Sequence, residues 1–160
     1  MGQQKITTFL WFNNQAEEAV ELYTSVFDDA RVIDIQRYGE AGPGPVDSVM
    51  TITFELPGQR FIALNGGPEF SFTEAISLSV DCADQEEVDT LWAKLTEGGG
   101  EEGPCGWLKD RFGLSWQIVP RALHELIGDP DKAKASRVMS AMLGMKKIEI
   151  QGLLDAAAAG

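Results

Sequence analysis

Polar and apolar positions alternate or cycle along this chain in a way that repeats once. ITTFLWF (6–12) reads as a strand. Ala16, Ala19, Val20, Tyr23 and Phe27 then recur at helical spacing, with Asn14 as the expected cap and Glu17 three residues on, as in a capping box. Three strand-like runs follow, ARVIDIQRY (30–38), SVMTITFEL (48–56) and QRFIALN (59–65), with loops containing GEAGPGP and LPGQ between them. The pattern restarts at AISLSVDC (75–82), where Ile76, Leu78 and Val80 alternate with Ser77, Ser79 and Asp81. Asp84 caps a second helix with Glu87 three residues on, Val88, Leu91, Trp92 and Leu95 form its stripe, and GGG (98–100) ends it. Strand pieces are expected near Glu101–Gly103, at CGWLKDRF and at LSWQIVP. Both halves therefore read β-α-β-β-β.

Beyond Pro120 the period becomes helical. RALHELIG, DPDKAKASRVMSAMLGM and KKIEIQGLLDAAAAG read as three helices, the second starting at Asp129-Pro130. Val138, Met142 and Met145 suggest an apolar stripe in which the methionines, Met139 included, fill the core. The terminal AAAAG is expected to fray. The organisation is one domain of paired modules over 1–120 (about 1–70 and 71–120), with a helical extension over 121–160 packed on it.

Composition narrows the functions. The 160 residues suffice for a real core, and the net charge of −12 disfavours nucleic acid and anionic membranes. No apolar run approaches the ~18 residues needed to span a bilayer. The start, MGQQKITTFLWF, lacks the features of a signal peptide, so a cytoplasmic protein is expected. Gly2 is a poor acylation site, because Ile6 stands where Ser or Thr is wanted. Cys82 and Cys105, far apart and outside any C-x-x-C, read as free thiols of a reducing compartment. His124 is the single histidine, which rules out a His-rich metal site, and its helical setting favours a surface role.

CGWLKDRFGLSWQIVP (105–120) carries two tryptophans, an Asp-Arg pair and a turn glycine. Two readings stand side by side. In one, the stretch is a hairpin clasp in which Trp107 packs and Asp110 ties down the turn before Gly113. In the other, Trp107 is a pocket wall.

The tandem pattern resembles the vicinal-oxygen-chelate superfamily of glyoxalases, bleomycin-resistance proteins and extradiol dioxygenases, and most closely its PhnB-like branch. AEEAVELYTSVF, FIALNGGPEFSF, EAISLSVDCADQEEVDTLW, GPCGWLKDRFGLSWQIVP and RVMSAMLGMKKIEIQGL carry the likeness over nearly the whole chain, tail included. The resemblance implies an α+β fold of two tandem βαβββ modules, each an open curled sheet forming a cup, plus the helical tail. In the superfamily a divalent metal is held in the cup from four strand positions, which fall here on Thr8, Ala63, Ala75 and Gln117. A hydroxyl, two methyls and an amide do not make a divalent site. No metal and no cofactor are therefore expected. The last strand should turn Leu114, Trp116 and Ile118 toward the helices, as the fifth should turn Ile76, Leu78 and Val80. Ser77, Ser79, Ser115 and Gln117 would then point into a polar, uncharged cup suited to a neutral or anionic organic molecule. Asn65, Phe72, Cys105 and Trp107 complete the expected ligand-binding set. Glu74 would join it after a one-residue slip of the alignment.

Three functions follow. The first is metal-independent binding or catalysis on a small organic molecule. The second is a methyltransferase, the label this branch often carries; yet FNNQAEE, the turn after the first strand, holds no glycine for the loop such a cofactor usually needs. The third is a resistance protein that sequesters a drug. A homodimer is expected, since open sheet edges favour pairing.

Overall fold

The computed structural model describes residues 3–160; Met1 and Gly2, with the acylation reading of Gly2, lie outside them. The chain divides into two compact units, one ending at Phe72 and the other beginning at Thr73.

The first unit contains β1 (Thr8–Phe12), α1 (Ala16–Val26), β2 (Arg31–Arg37), β3 (Val49–Leu56) and β4 (Gln59–Asn65). Its sheet runs β1-β4-β3-β2, with β1 parallel to β4 and the other pairs antiparallel. Leu10 pairs with Ala63, and Ala63 with Ile52, so these side chains share one face. That face packs under α1: the Tyr23 ring lies 6.3 Å from Phe54, which stacks at 5.5 Å on Phe61. The opposite face carries Phe9, Trp11, Ile62 and Leu64 with Thr51 and Thr53. Strand β2 is an edge strand with every residue exposed, apolar Val32, Ile33 and Ile35 included.

The first helix starts differently from the local expectation. Its N-cap is Gln15, with no side-chain cap bond of its own, and Asn14 does not serve. Asn65, at the end of β4, caps it instead: Oδ1 accepts from Ala16 N at 2.8 Å, and Nδ2 donates to Glu17 Oε1 at 2.7 Å. A partner from the neighbouring strand fills the role the sequence assigned to a neighbour in the chain.

The second unit contains β5 (Ser77–Cys82), α2 (Gln85–Thr96), β6 (Glu101–Glu102), β7 (Trp107–Lys109) and β8 (Ser115–Pro120), then α3 (Arg121–Ile127), α4 (Lys132–Leu143) and α5 (Ile150–Ala158). The sheet order β5-β8-β7-β6 repeats that of the first, again with its first and last strands parallel. Asp84 caps α2 by accepting from Glu87 N at 2.9 Å, and Glu87 Oε1 accepts from Ala83 N. Gly98 and Gly99, at φ of 74° and 118°, end it in the left-handed region that favours glycine. Leu114, Trp116 and Ile118 are buried as expected, and Leu108 is buried with them. Ile76 is not: it is 63% exposed, because β5 begins one residue later and is an edge strand.

The three tail helices belong to this unit and form their own core of Val138, Ile148 and Leu153 against Val119 and Leu123. Met142 and Met145 pack partly buried against it, while Met139 stays at the surface. Helix α4 is capped by Asp131, which accepts from Ala133 and Lys134 N; Asp129 instead pairs with Lys134 at 3.0 Å. The terminal alanines are held rather than frayed. Arg137 donates to the carbonyls of Ala156 at 3.0 Å and Ala157 at 2.8 Å, a cation on the negative end of α5. Among the described residues no helix is long and apolar enough to cross a membrane.

Candidate functional site

The geometry of the second sheet follows from a three-residue strand. In β7, Leu108 turns into the core, so Trp107 and Lys109 project from the other face. Lys109 sits opposite Ser115, and Trp107 opposite Gln117. On the far side of β8, Ser77 pairs with Ser115 and Ser79 with Gln117. One face of the sheet therefore carries these six polar or aromatic side chains, backed by the Leu108–Trp116 layer.

Over this face lies a cleft of about 360 Å³, walled by Glu74, Pro104, Cys105, Trp107, Lys109 and Ser115 among others. Its volume is within the range of small-molecule sites. One wall is the loop before β7. Gly103 N donates to Trp107 O, Trp107 N to Pro104 O, and Ile118 N to Gly106 O, each within 3.0 Å. The tail grips the same loop, since Cys105 N and Gly106 N donate to the carbonyls of Met145 and Lys146, each at 2.8 Å. Gly106 is required there: its φ is 85°, and a Cβ would meet Ile148 Cδ1 at 2.7 Å and Ile118 O at 3.1 Å.

The turn between β7 and β8 is held by a buried carboxylate. Asp110, 2% exposed, accepts from Phe112 N at 2.9 Å, Leu114 N at 3.1 Å and Trp116 Nε1 at 3.0 Å. The clasp thus exists, with Asp110 in the expected role, but its tryptophan is Trp116. Trp107 is half-buried and stands in the cleft wall.

Charge enters the cleft from two directions. Lys109 Nζ meets Glu74 Oε1 at 2.9 Å. That hydrogen bond, with the attraction behind it, holds the Glu74 carboxyl below the usual range and the Lys109 ammonium above its own, and Glu101 raises the latter further. Glu102 accepts from Trp92 Nε1 at 2.6 Å. The expectation of an uncharged cup does not describe this cleft, because the strand-end charges of β6 and β7 lie on its rim. On the same sheet face, outside the cleft lining, Gln117 Nε2 donates to Ser77 Oγ at 2.9 Å. Ser115 is 1% exposed, and its Oγ has no hydrogen-bond partner among the described residues.

The nine expected ligand-binding residues have separate fates. Ser77, Cys105, Trp107 and Gln117 gather on or beside this face, with Cys105 and Trp107 in the cleft wall. Ala75 is exposed just before β5. In the first unit, Ala63 is fully buried on the face under α1. Thr8 shares that face and accepts from Gln59 Nε2 at 3.2 Å. Asn65 spends its amide on the α1 cap and on Val49 O, and Phe72 packs edge-on against Phe12. Sequence reasoning flagged Glu74 and Ser115 but missed Lys109 and Glu101. The Trp-Leu-Lys alternation puts Lys109 on the Trp107 side only once β7 is known to be a strand, and three residues do not announce that; Glu101 has no such signal.

The donor set does not fit the superfamily's metal. The four positions offer a hydroxyl, two methyls and an amide, and Ala63 is enclosed in the first core. Among the described residues no group of three His, Cys, Asp or Glu side chains is placed to hold an ion. Both cysteines are free; burial pushes the Cys82 thiol up to about 12, which leaves it inert, and His124 is exposed.

Known proteins place the chain. The family model described as 3-demethylubiquinone-9 3-methyltransferase matches residues 4–119 and stops short of the tail. No curated protein matches. A PhnB protein from Bacillus cereus, described as a 3-demethylubiquinone-9 3-methyltransferase, is 42% identical, with a TM-score of 0.65 over 73% of this chain and 99% of its own. Protein PA1353 from Pseudomonas aeruginosa is 21% identical, with a TM-score of 0.61 over 74% of this chain and 98% of its own. The fosfomycin resistance protein FosX from Listeria monocytogenes shares the fold at 16% identity, with a TM-score of 0.52 over 78% of this chain and 98% of its own. With two open four-stranded sheets in the same order and a family model spanning most of its length, the chain belongs to the PhnB-like family named for 3-demethylubiquinone-9 3-methyltransferase, within the vicinal-oxygen-chelate superfamily.

Proposed function

We propose that the protein binds a small organic molecule in the cleft of its second unit and does so without a metal ion, as a binder or as a metal-independent enzyme. The buried Ser115 hydroxyl carries this reading. A buried donor and acceptor on a residue that lines a 360 Å³ cleft, without a partner among the described residues, costs stability unless a ligand or water meets it. The Trp107 wall supplies the apolar surface that such sites use for the body of a ligand. The chemistry of the four metal positions supports the metal-free part.

The methyltransferase in the family's name is the weaker reading. Of the strand-to-helix connections, Asn13–Gln15 and Ala83–Asp84 hold no glycine, and β8 runs directly into α3. A drug-sequestering role has only the likeness in fold to a fosfomycin resistance protein. The exposed apolar side chains of edge strand β2 support a homodimer, which light scattering checks.

The test is a thermal-shift screen of small organic molecules, paired with elemental analysis of protein purified without chelator. The reading expects hits that lose their shift in Trp107→Ala and less than a tenth of an equivalent of any transition metal. A stoichiometric metal, or hits indifferent to Trp107, overturns it. Calorimetric binding of S-adenosylmethionine would restore the methyltransferase.

A further inference from the structure

We infer that the cleft of the second unit selects an organic cation: an apolar-bodied amine whose ammonium sits at the acidic rim and whose uncharged hydrogen-bonding group reaches Ser115 Oγ. This rests on the reading of that cleft as the ligand site and adds the class of ligand.

Charge decides the sign. The residues walling the cleft include three carboxylates, Glu74, Glu101 and Glu102, against one ammonium, Lys109. Lys109 is already committed to Glu74 at 2.9 Å, so it is poorly placed to receive an anion. Glu101 pairs across the ladder with Lys109, which puts a second carboxylate in the cleft lining beside that ion pair. An anionic ligand would therefore meet net negative charge at the mouth, within a molecule whose net charge is −12. A cation meets the reverse. Depth decides the rest. The enclosed atom in need of a partner is the Ser115 hydroxyl, which suits a phenol, alcohol or amide, and the Trp107 side chain in the lining supplies aromatic surface for an apolar body.

Three probes share one hydroxyphenyl body and differ in the charge of the tail: tyramine (cation), 4-(2-hydroxyethyl)phenol (neutral) and 4-hydroxyphenylacetate (anion). Each is titrated to millimolar concentration into isotope-labelled full-length protein, following the Trp107 indole and the Ser115 and Lys109 amides by two-dimensional NMR. We expect affinity to fall in that order, by about tenfold from first to last at low salt, with the gap closing as salt is added. Ser115→Ala should weaken tyramine about five- to tenfold and change 2-phenylethylamine, which lacks the phenol, less than twofold. Saturable binding at these signals with the anion equal to or tighter than the cation would overturn the inference while leaving the cleft as a ligand site. Equal losses for both amines would overturn the Ser115 contact. No saturable shift with any probe would overturn the inference and withdraw support from the cleft itself.

Discussion

The two units each hold a cleft of nearly the same volume, about 350 Å³ in the first and 360 Å³ in the second, beside sheets of the same strand order. They differ in what their polar groups do. In the first, Asn65 caps α1, binds Glu17 and holds Val49 O, and its carbonyl receives the Tyr38 hydroxyl. Every one of these groups is spent on holding strand, helix and loop together. In the second, the helix is capped locally by Asp84, which frees the strand residues from that duty. Ser115 is left with an unmet hydroxyl, and Trp107 and Lys109 stand beside it. The repeat duplicates a topology, and the chemistry follows whichever unit has polar groups to spare.

Breaking the second unit's frame should have the largest effect. Asp110→Ala strands three buried or half-buried donors, Phe112 N, Leu114 N and Trp116 Nε1, and should cost ~3–5 kcal/mol of stability by chemical denaturation. Gly106→Ala forces a left-handed non-glycine backbone and a clash with Ile118 O, for a loss of ~2–3 kcal/mol. Because the tail clasps this loop, the same variant should also abolish ligand shifts in the cleft. Asn65→Ala removes the remote cap of α1 and should cost ~1–2 kcal/mol, with amide exchange rising in α1 and NMR signals of the second cleft unmoved. Movement of those signals would break the separation of roles drawn between the clefts. Gln117→Ala loses only a half-buried bond to Ser77 and should change stability by less than ~1 kcal/mol while weakening any ligand that contacts the face.

How much of this was legible in the sequence depends on the range of the interaction. Strands and helices came through because side-chain alternation is local, and the Asp84–Glu87 cap was read correctly because both partners lie within one turn. Asn14 was read as a cap by the same logic and fails, because the residue that serves, Asn65, is on a strand that only the fold brings alongside. Asp131 rather than Asp129 caps α4 for a smaller reason, a two-residue shift in where the first turn begins. In the site, alternation along β8 separated Leu114, Trp116 and Ile118 from Ser115 and Gln117 without help. It could not supply the charge. Strand β7 is three residues long, too short to announce its facing, and Glu74 enters through an ion pair with the next-but-two strand in the chain, Lys109 of β7. The same limit misassigned the buried tryptophan: Asp110 was correctly seen as the tie, but choosing Trp116 over Trp107 requires the turn's three-dimensional path.

The central claim is that Ser115 keeps its hydroxyl for a ligand and not for the fold, and the most direct measurement is the stability of Ser115→Ala in the absence of ligand. With no intramolecular bond to lose and a buried polar atom removed, the account predicts a melting temperature equal to or above that of the unaltered protein, as for a residue held at the expense of stability. A loss of more than ~1 kcal/mol, the worth of an ordinary internal hydrogen bond, would show that the fold uses the hydroxyl and would contradict the account.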